Sequence, residues 1–397
     1  MMGSPTYLRM RSNAELIAGT LTFIRSPACV TLLWFEDEQM KRLQARYKVL
    51  SRFKHALLFS TISLVAWTSA CGQASISVSG GRLQRDGRPW TPHGVVQIAF
   101  VAPPAAQQGV FTEAYQHYSP SDYTAMRSYG IDSVRIQISQ PGLDPQNPLF
   151  TPAFRSQVID AVHAARAAGL IVMLSVQDEE QSGEKKDRVA SLPNDATRRV
   201  WASIAPVFAR DHGVIYELLN EPNLPPNPEN WRKWAHEMNA TLKVVRDAGA
   251  SNVAVADGLL FAERLGGAPA LHDPDGQVVY ASHPYAHRAQ DQTAPSWEKK
   301  FGDFARTHAV VVTEWTTVPK YYCDLGTPKY AEEFLRYLNG RGIGLMAYGW
   351  DFSGPKFGST FHGFPPQISA FEGLTCGEPG FGPGRAVERF FQGRLQP

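Results

Sequence analysis

The chain has 397 residues, of which 43% are hydrophobic and 19% are charged, and this balance excludes an intrinsically disordered protein. Its 39 lysines and arginines and 37 acidic residues give a formal net charge of +2, with much of the basic excess in the first 55 positions. No nucleic-acid-binding surface is therefore indicated, and the length fits one large barrel domain with insertions.

The N-terminal region predicts an export signal. A basic run precedes a short apolar stretch over residues 56–70 that ends in small residues. This order is typical of a signal peptide, and the stretch is shorter than the roughly 20 residues of a membrane-spanning helix. We therefore expect cleavage near Ala70 or Ala74 and no permanent membrane span. The basic residues are Lys41, Arg42, Arg46, Lys48, Arg52 and Lys54.

The position of this signal inside the chain affects the expected start of the protein. Signal peptides begin at the start codon, so we expect Met40 to be the true start, residues 1–39 to be a gene-model artefact and residues 40–74 to be the signal peptide. Cys71 directly after Ala70 resembles a lipoprotein site, although Thr68 stands where Leu or Val is usual. Secretion or periplasmic release is the main expectation, and lipidation of Cys71 is the alternative.

Of the four cysteines, only Cys323 and Cys376 lie in the expected mature domain. An oxidising compartment permits a disulfide between them, and the sequence leaves open whether they form one or remain two free thiols.

Residues 75–397 are expected to form one catalytic domain that opens with a small β-hairpin. The alternating residues Ile76 to Val78 and the pair Asp86-Gly87 indicate this hairpin. Short apolar runs then alternate with helical patterns, such as residues 152–168, 230–248 and 328–340, the first of them with Thr151 as cap and Gly169 as stop. The candidate strands are residues 94–100, 133–138, 171–176, 215–219, 253–256, 278–281, 310–313 and 344–350.

Eight strands that alternate with helices predict an α/β fold, a closed (β/α)8 TIM barrel. A doubly wound open sheet is the alternative, but no Gly-x-Gly-x-x-Gly follows an early strand and no Walker motif occurs. Nucleotide binding is therefore disfavoured.

Two glutamates end strongly apolar strands of this barrel. Glu221 lies in Asn220-Glu221-Pro222 after the fourth strand, and Glu314 follows the seventh. A single glutamate after a strand is commonly a solvated loop residue, but active sites of barrels lie where the strands end. Two such glutamates at these ends therefore favour a catalytic pair.

The ordered set of residues resembles the cellulase-like family five of the clan A glycoside hydrolases. The resemblance spans most of the expected mature chain and implies that Glu221 is the acid/base and Glu314 the nucleophile of a retaining hydrolase of β-linked glycans. Such enzymes need one protonated and one ionised carboxyl group about 5 to 5.5 Å apart.

The resemblance also implies substrate-binding residues. It places Arg135 and Tyr285 near Glu314, Asn220 at the sugar 2-hydroxyl and His283 in the network around the two carboxyl groups. Trp350 would offer a flat face to a sugar ring. A structural ion pair is the alternative role for Arg135, and a place in the core is the alternative for Trp350.

Other positions are weaker candidates. Gln177 stands where many family members have a histidine at the third strand and would bind a hydroxyl. The acidic stretch Asp178-Glu179-Glu180 is predicted to be a solvated loop. Further subsites could be formed by Trp315, Trp231, Tyr321 and Tyr322.

No metal and no cofactor is expected. His283 and His287 have a spacing that could bind zinc on a helix, but Pro284 disfavours a regular helix there. We expect a monomer whose partner is a β-linked polysaccharide or oligosaccharide, with the glycan, the linkage and endo or exo action left open. Two other functions remain: a transglycosylase with the same pair, and a non-catalytic carbohydrate-binding barrel on the cell envelope.

Overall fold

A computed structural model describes residues 74–285, 291–316, 329–351 and 383–395, with the backbone alone described at residues 329 and 383–385. Several sequence predictions lie outside these ranges. They are the N-terminal extension, the signal peptide up to residue 73, the lipoprotein cysteine Cys71, the subsite candidates Tyr321 and Tyr322, the zinc candidate His287, and the pair Cys323 and Cys376.

The described chain begins with the predicted hairpin, which forms a small antiparallel sheet. Strands β1 (Ile76–Ser79), β2 (Arg82–Arg85) and β3 (Arg88–Pro89) pair in that order. Asp86 and Gly87 both have positive φ, 53° and 73°, which is the conformation of a tight two-residue hairpin turn. Ile76 and Leu83 are buried with the side chains inside the barrel, so the hairpin closes one of its ends.

Eight parallel strands form a closed barrel, as the sequence predicted. Their order around the barrel follows the chain, and the last strand pairs with the first through Leu345 and His93. Closure rules out the open doubly wound sheet. The strands are β4 (His93–Gln97), β5 (Ser133–Ser139), β6 (Ile171–Gln177), β7 (Val214–Glu217), β8 (Ala254–Asp257), β9 (Val278–Ser282), β10 (Val310–Trp315) and β11 (Gly344–Ala347).

The predicted strand boundaries differ from these mainly at the C-terminal ends. The strand predicted at residues 344–350 ends at Ala347, and the one predicted at 215–219 ends at Glu217. The sequence beyond these points is apolar, so hydrophobicity alone could not locate the end of pairing.

The helices pack around the barrel, and polar caps set where several of them begin. Thr151 Oγ1 accepts from the backbone N–H of Phe154, as predicted, and Asn194 and Asn227 cap two later helices in the same way. The helices are α1 (Val110–His117), α2 (Ser121–Ser128), α3 (Gln140–Leu143), α4 (Pro152–Ala167), α5 (Asp195–Phe208), α6 (Pro228–Asp247), α7 (Ala294–Trp297), α8 (Lys329–Arg341) and α9 (Pro383–Phe391). None of the helices in the described ranges is long and apolar enough to cross a membrane.

The core has two layers because strand side chains alternate between the helices and the barrel interior. On β5, Val134, Ile136 and Ile138 join the outer core against the helices. Arg135 and Gln137 lie on the opposite face, inside the barrel. Apolar residues such as Met173 and Val255 fill the part of the interior away from the C-terminal ends of the strands. The polar residues gather toward those C-terminal ends.

Barrel closure leaves little space beside Gly344 on β11. A methyl group there would lie 2.7 and 2.8 Å from ring carbons of Pro92, and a third ring carbon would be closer still. We expect Gly344→Ala to lower the free energy of unfolding by about 1–3 kcal/mol, because the proline ring cannot turn away. The measurement is urea unfolding followed by circular dichroism.

Gly340→Ala in α8 is the matched control, since nothing lies within 4 Å of the added methyl group. Alanine in a helix should leave the stability unchanged or raise it by up to about 1 kcal/mol. Equal effects of the two substitutions would contradict the proposed clash.

Candidate active site

Arg135 on β5 is the centre of the polar cluster at the C-terminal end of the barrel. Its side chain is fully buried and donates four hydrogen bonds to side chains from other segments. Nε donates to Glu217 Oε2 at 2.5 Å, and Nη1 donates to Glu314 Oε1 at 2.6 Å. Nη2 donates to Ser175 Oγ at 2.8 Å and to Asn220 Oδ1 at 2.7 Å.

Two carboxylates keep this buried guanidinium charged. Burial alone lowers the pKa of Arg135, but the charges of Glu217 and Glu314 outweigh it and raise the pKa above its ordinary value. Removing one partner of a buried pair of this kind leaves an uncompensated charge, which costs about 3–5 kcal/mol. The ion pairs therefore join β5 to β7 and to β10 across the interior of the closed barrel.

Glu217 and Asp257 form a pair of fully buried acidic side chains inside the barrel. Burial and the charge of Glu217 raise the pKa of Asp257 well above its usual range, which favours the protonated form of Asp257. Burial also raises the pKa of Glu217, but Arg135 outweighs it and lowers that pKa below its usual value. In the described part of the chain, Glu217 Oε1 and Asp257 Oδ1 have no other partner, so the proton on Asp257 can serve both.

Glu221 is held in an unusual backbone conformation. Its φ is 51°, in the left-handed region, which costs a residue other than glycine about 1–3 kcal/mol. Its backbone N–H donates to Asp257 Oδ2 at 3.0 Å, which ties the residue to the buried pair. Burial and the charge of Glu314 raise the pKa of the Glu221 carboxyl group, although a hydrogen bond to His283 opposes this.

His283 connects Glu221 to β10. Nδ1 lies 2.9 Å from Glu221 Oε1, and Nε2 lies 2.8 Å from Thr313 Oγ1. A hydroxyl group can donate or accept, so a neutral His283 can accept from a protonated Glu221 or donate to an ionised one. Its two tautomers therefore match the two protonation states of Glu221.

A β-bulge in β10 directs Glu314 into the barrel. Val312 pairs with Leu345 of β11 and Trp315 pairs with Ala347, so three residue steps on β10 face two on β11. Thr313 and Glu314 consequently both face the interior, where strict alternation would have placed only one of them. Trp315 faces the helices.

Three side chains donate to the Glu314 carboxylate. Oε1 accepts from Arg135 Nη1 and from Gln137 Nε2 at 2.7 Å, and Oε2 accepts from Tyr285 Oη at 3.1 Å. An ionised carboxylate is an acceptor only and suits this set of donors. Carboxylate oxygens of Glu221 and Glu314 lie within 4.8 Å of each other, close to the separation of about 5 to 5.5 Å in retaining glycosidases.

Glu179 is a third carboxyl group beside this pair, and the prediction of a solvated loop is wrong for it. Its Oε1 accepts from Asn220 Nδ2 at 2.7 Å, and its Oε2 is hydrogen-bonded by Gln181 Nε2. Burial, and then the charges of Glu221 and Glu314, raise the pKa of Glu179 to about 8. The sequence did not reveal this position of Glu179, because hydrophobicity does not distinguish a carboxyl group that turns inward from one that points to solvent.

The neighbours of Glu179 show why the acidic stretch was ambiguous. Glu179 is half-buried, whereas Asp178 is buried, and Asp178 Oδ2 accepts from the backbone N–H of Ala190 at 2.8 Å, so it holds the loop in place. Glu180 is exposed, as predicted for the stretch.

Gln177 lies on the inner face at the end of β6, on the same strand face as Ser175. It is buried, and its Nε2 donates to Ser175 Oγ at 3.0 Å. It therefore contacts the residue that supports Arg135.

The predicted tryptophan platforms do not present open faces. Trp350 is 1% exposed and belongs to the outer core, with Tyr129 in edge contact. Trp315 is fully buried, with its ring centre 4.9 Å from that of Phe334 on α8. Trp231 is also buried and packs on its helix neighbour Trp234. The prediction that these tryptophans offer open faces to sugars is wrong, because their rings pack between the barrel and the helices.

Tyr348 is the aromatic residue after β11 that the sequence analysis missed. It is half-buried and packs against the residues inside the barrel. Burial, followed by the charge of Glu314, raises its pKa well above the usual value, with smaller effects from Asp351, Glu179 and Glu221. The two-residue period would have placed Tyr348 and Trp350 on one face, but regular pairing stops at Ala347.

Among the residues that the structure describes, two groups of side chains could supply three ligands to a metal ion. They are Glu217, Asp257 and His283, and Glu221, His283 and Glu314. Both groups share His283, whose two ring nitrogens already contact Glu221 and Thr313. The side chains are therefore arranged to exchange protons with one another, and a metal ion would have to displace these contacts.

Comparison with known proteins gives a consistent picture. The model of the cellulase family, glycosyl hydrolase family 5, matches residues 102–354. The cellulase CelDZ1 of a Thermoanaerobacterium species is 25% identical over 208 residues, which cover 48% of this chain and 51% of that protein. The chain thus matches about half the length of this curated relative.

Solved structures share the fold at low sequence identity. A β-glucanase of Saccharophagus degradans, SdGluc5_26A, superposes with a TM-score of 0.58 and 19% identity, covering 82% of this chain and 94% of that one. A mannanase catalytic domain of Streptomyces sp. SirexAA-E gives 0.53 and 17%, covering 80% and 92%. An endocellulase of Pyrococcus horikoshii gives 0.58 and 13%, covering 73% and 94%.

The raised pKa of Glu179 has a consequence for stability. The folded state favours its protonated form, so the contribution is present below the ordinary pKa of 4.5 and is lost as the pH rises toward 8. Glutamine mimics the protonated acid at every pH. We expect Glu179→Gln to gain stability relative to the unmodified protein between pH 5 and pH 8, by on the order of 1–3 kcal/mol.

Urea unfolding of both proteins at pH 5 and pH 8 measures this difference. The exposed neighbour Glu180 provides the control, since Glu180→Gln should show the same stability difference at both pH values. A pH-independent difference for Glu179→Gln would mean that Glu179 titrates normally in the folded protein.

Proposed function

Because the cellulase model matches residues 102–354, this chain belongs to glycosyl hydrolase family 5, and from that premise we propose that it hydrolyses β-linked glycans with retention of configuration. The observation that carries the proposal is the pair Glu221 and Glu314, whose carboxylate oxygens lie within 4.8 Å of each other. Their surroundings differ in the way that two carboxyl groups with opposite tasks require.

In the first step of the proposed reaction, an oxygen of Glu314 attacks the anomeric carbon and the bond to the leaving oxygen breaks. The leaving oxygen takes the proton of Glu221, whose pKa is raised by burial and by the charge of Glu314. In the second step, Glu221 removes a proton from water, the water oxygen bonds to the anomeric carbon, and Glu314 departs. Two inversions leave the configuration unchanged.

His283 supports both steps. When Glu221 is protonated, His283 Nδ1 can accept from it while Nε2–H donates to Thr313. When Glu221 is ionised, Nδ1–H can donate to it while the Thr313 hydroxyl donates to Nε2. The distances of 2.9 and 2.8 Å fit either arrangement, so Glu221 keeps a partner throughout the cycle.

We assign substrate contacts to the polar residues around Glu314. Arg135 and Tyr285 orient the nucleophile, and Asn220 and Gln177 contribute hydrogen-bonding groups for hydroxyls. Arg135 can only donate, so it fixes the Asn220 oxygen toward itself and turns the amide nitrogen toward Glu179. Tyr348, in place of Trp350, is proposed to offer an aromatic face to a sugar ring after β11, because Tyr348 packs with the residues inside the barrel, and burial and the charge of Glu314 raise its pKa.

The proposed substrate is a β-linked polysaccharide or oligosaccharide. The similar solved structures include a β-glucanase, an endocellulase and a mannanase, so glucan and mannan backbones are the first substrates to compare. Product analysis with added acceptor sugars separates hydrolysis from transglycosylation.

We also propose that the chain is exported and acts as a monomer in the periplasm or medium. Support for export comes from the basic run before the apolar stretch at residues 56–70 and from the small residues that end it. N-terminal sequencing of the mature protein distinguishes cleavage near Ala70 or Ala74 from lipidation at Cys71.

Substitution of either glutamate tests the catalytic pair. Glu314→Gln should lower kcat by at least about a thousandfold on every substrate, because the amide is a poor nucleophile. Glu221→Gln should lower kcat by a similar factor on glycans but by less on activated aryl glycosides, whose leaving groups need no proton. Steady-state kinetics on both substrate types measures this.

Glu229→Gln on the exposed start of α6 is the control and should leave kcat within about twofold, as expected for a surface change. Retention of most activity by Glu314→Gln would disprove the assignment of the nucleophile.

The pH dependence of the activity tests the proposed role of Glu221 as the acid. Because burial and Glu314 raise the pKa of Glu221, activity requires its protonated form and should fall as the pH rises through that raised pKa. In Glu221→Gln, the residual kcat/KM on an aryl glycoside should lose this alkaline limb. Persistence of the same limb in the variant would assign it to a different group.

A further inference from the structure

Lys300 is a lysine whose side chain is almost completely enclosed by the protein. The side chain is 1% exposed, whereas the preceding residue, Lys299, is exposed. Lysines are almost never buried to this extent unless the ammonium group is paired, because desolvation of the charge costs free energy. The steps of the proposed reaction use no lysine, so the buried charge of Lys300 needs a separate explanation.

A π-helical turn turns Lys300 toward the interior. The turn spans Glu298–Gly302 directly after α7, and the backbone N–H of Asp303 donates to the carbonyl oxygen of Glu298 at 3.0 Å. This bond spans five residues where an α-helix spans four, so the turn holds one additional residue, and turns of this kind are frequent at functional sites. Lys300 and the next two residues are all buried.

The ammonium group of Lys300 joins two loops at the C-terminal end of the barrel. Nζ donates to Glu263 Oε1 at 2.5 Å, in the loop after β8, and to the carbonyl oxygen of Tyr285 at 3.4 Å, after β9. Asp291 Oδ1 lies 3.9 Å from Nζ. One cation is thus shared by two carboxyl groups and a backbone carbonyl.

The backbone of Lys300 is bonded to the same loop as its side chain. The carbonyl oxygen of Lys300 accepts from the backbone N–H of Leu265 at 2.8 Å, two residues after Glu263. The loop after β8 therefore holds both ends of Lys300, and the ammonium group has a fixed position from which it contacts Tyr285.

Tyr285 links Lys300 to the proposed nucleophile. The Tyr285 hydroxyl donates to Glu314 Oε2 at 3.1 Å, while Arg135 and Gln137 both donate to Oε1. In the part of the chain that the structure describes, Oε2 accepts a hydrogen bond from Tyr285 alone. The orientation of the carboxylate is therefore fixed on the Oε2 side by this tyrosine.

The two backbone polar groups of Tyr285 are both hydrogen-bonded. Its N–H donates to the carbonyl oxygen of His283 at 2.9 Å, and its own carbonyl oxygen accepts from Lys300. These two bonds limit rotation of the backbone at Tyr285. They consequently fix the direction in which the ring leaves the chain toward Glu314.

We propose that Lys300 is a positioning residue for the nucleophile, because it holds the Tyr285 backbone so that the Tyr285 hydroxyl points at Glu314 Oε2. The proposal rests on the proposed function, in which Glu314 attacks the anomeric carbon. Lys300 acts only through Tyr285. Misplacement of a catalytic group by about 1 Å can lower a rate by about a hundredfold, so a distant support of this kind can affect the attack.

A double-mutant cycle tests the proposal, because coupling appears only where two residues act together. The first change is the pair Lys300→Met with Glu263→Gln, which removes the cation together with its carboxylate partner and leaves no unpaired charge from Glu263. The second change is Tyr285→Phe. The substrate is para-nitrophenyl β-cellobioside or para-nitrophenyl β-mannobioside, whichever the unmodified enzyme cleaves faster, and kcat/KM reports the attack by Glu314.

The pair should lower kcat/KM by about tenfold in the unmodified background. In the Tyr285→Phe background the same pair should lower it by less than about twofold, because the hydroxyl that Lys300 positions is already absent. Glu263→Gln alone keeps the ammonium group and should stay within about threefold of the unmodified value. Lys299→Met is the matched control on the exposed neighbour and should have no effect beyond about twofold in either background.

Equal losses from the pair in the two backgrounds would overturn the positioning role, since loosening of the loops alone would act with or without the Tyr285 hydroxyl. A loss below about twofold in the unmodified background would overturn it as well. If circular dichroism shows that the pair does not fold, Lys300→Gln, which is shorter and neutral, replaces it in the cycle under the same criteria. Inactivity of the unmodified enzyme on both aryl glycosides, on β-glucan and on β-mannan would instead refute the proposed function, and the role of Lys300 with it.

Discussion

A fully buried guanidinium group, that of Arg135, is the constraint on which the polar end of the barrel depends. Arg135 is satisfied only if acceptors arrive from β6, β7, β10 and the segment before Glu221 at the same time. Its charge costs free energy to desolvate, and two carboxylates at 2.5 and 2.6 Å offset that cost. Barrel closure and the assembly of the site are therefore one event, because an open sheet would separate these partners.

The surrounding carboxyl groups form two sets, those that contact the Arg135 guanidinium and those that do not. Glu217 and Glu314 contact Arg135 directly, while Asp257, Glu221 and Glu179 crowd around those two carboxylates without touching the guanidinium. Burial and mutual repulsion raise the pKa values of these three. One buried cation can thus hold the Glu314 carboxylate by hydrogen bonds beside Glu221, whose pKa is raised, and this is the difference that the proposed reaction requires.

Much of this organisation could be predicted from the sequence because it follows from period and position. Eight apolar runs that alternate with helical patterns predicted the barrel. The positions after strand ends indicated Glu221 and Glu314 as a catalytic pair. The resemblance placed Arg135 near Glu314, and the two-residue period of β5 would then have put Gln137 on the same face. Each of these predictions rests on a local rule that can be read from neighbouring residues.

The misses lie where local rules are interrupted by tertiary structure. The bulge in β10 turns Glu314 inward and leaves Trp315 on the outside, which strict alternation cannot show. Trp350 lies past the end of regular pairing, where the face of a side chain no longer follows from the count. Glu179 belongs to a loop and turns inward to accept from Asn220, which lies 41 residues away, so its neighbours in the sequence do not reveal this position.

Strain in the backbone is concentrated at the same end of the barrel as the chemistry. Glu221 has a φ of 51°, and residues 260–262 continue this conformation in the adjacent loop, joined to it through the carbonyl of Pro222. At the opposite end the hairpin packs Ile76 and Leu83 into the apolar interior. The stability of the regular barrel and its apolar interior can offset the strain in these loops. The C-terminal end of the barrel can therefore hold side chains in positions that relaxed loops would not keep.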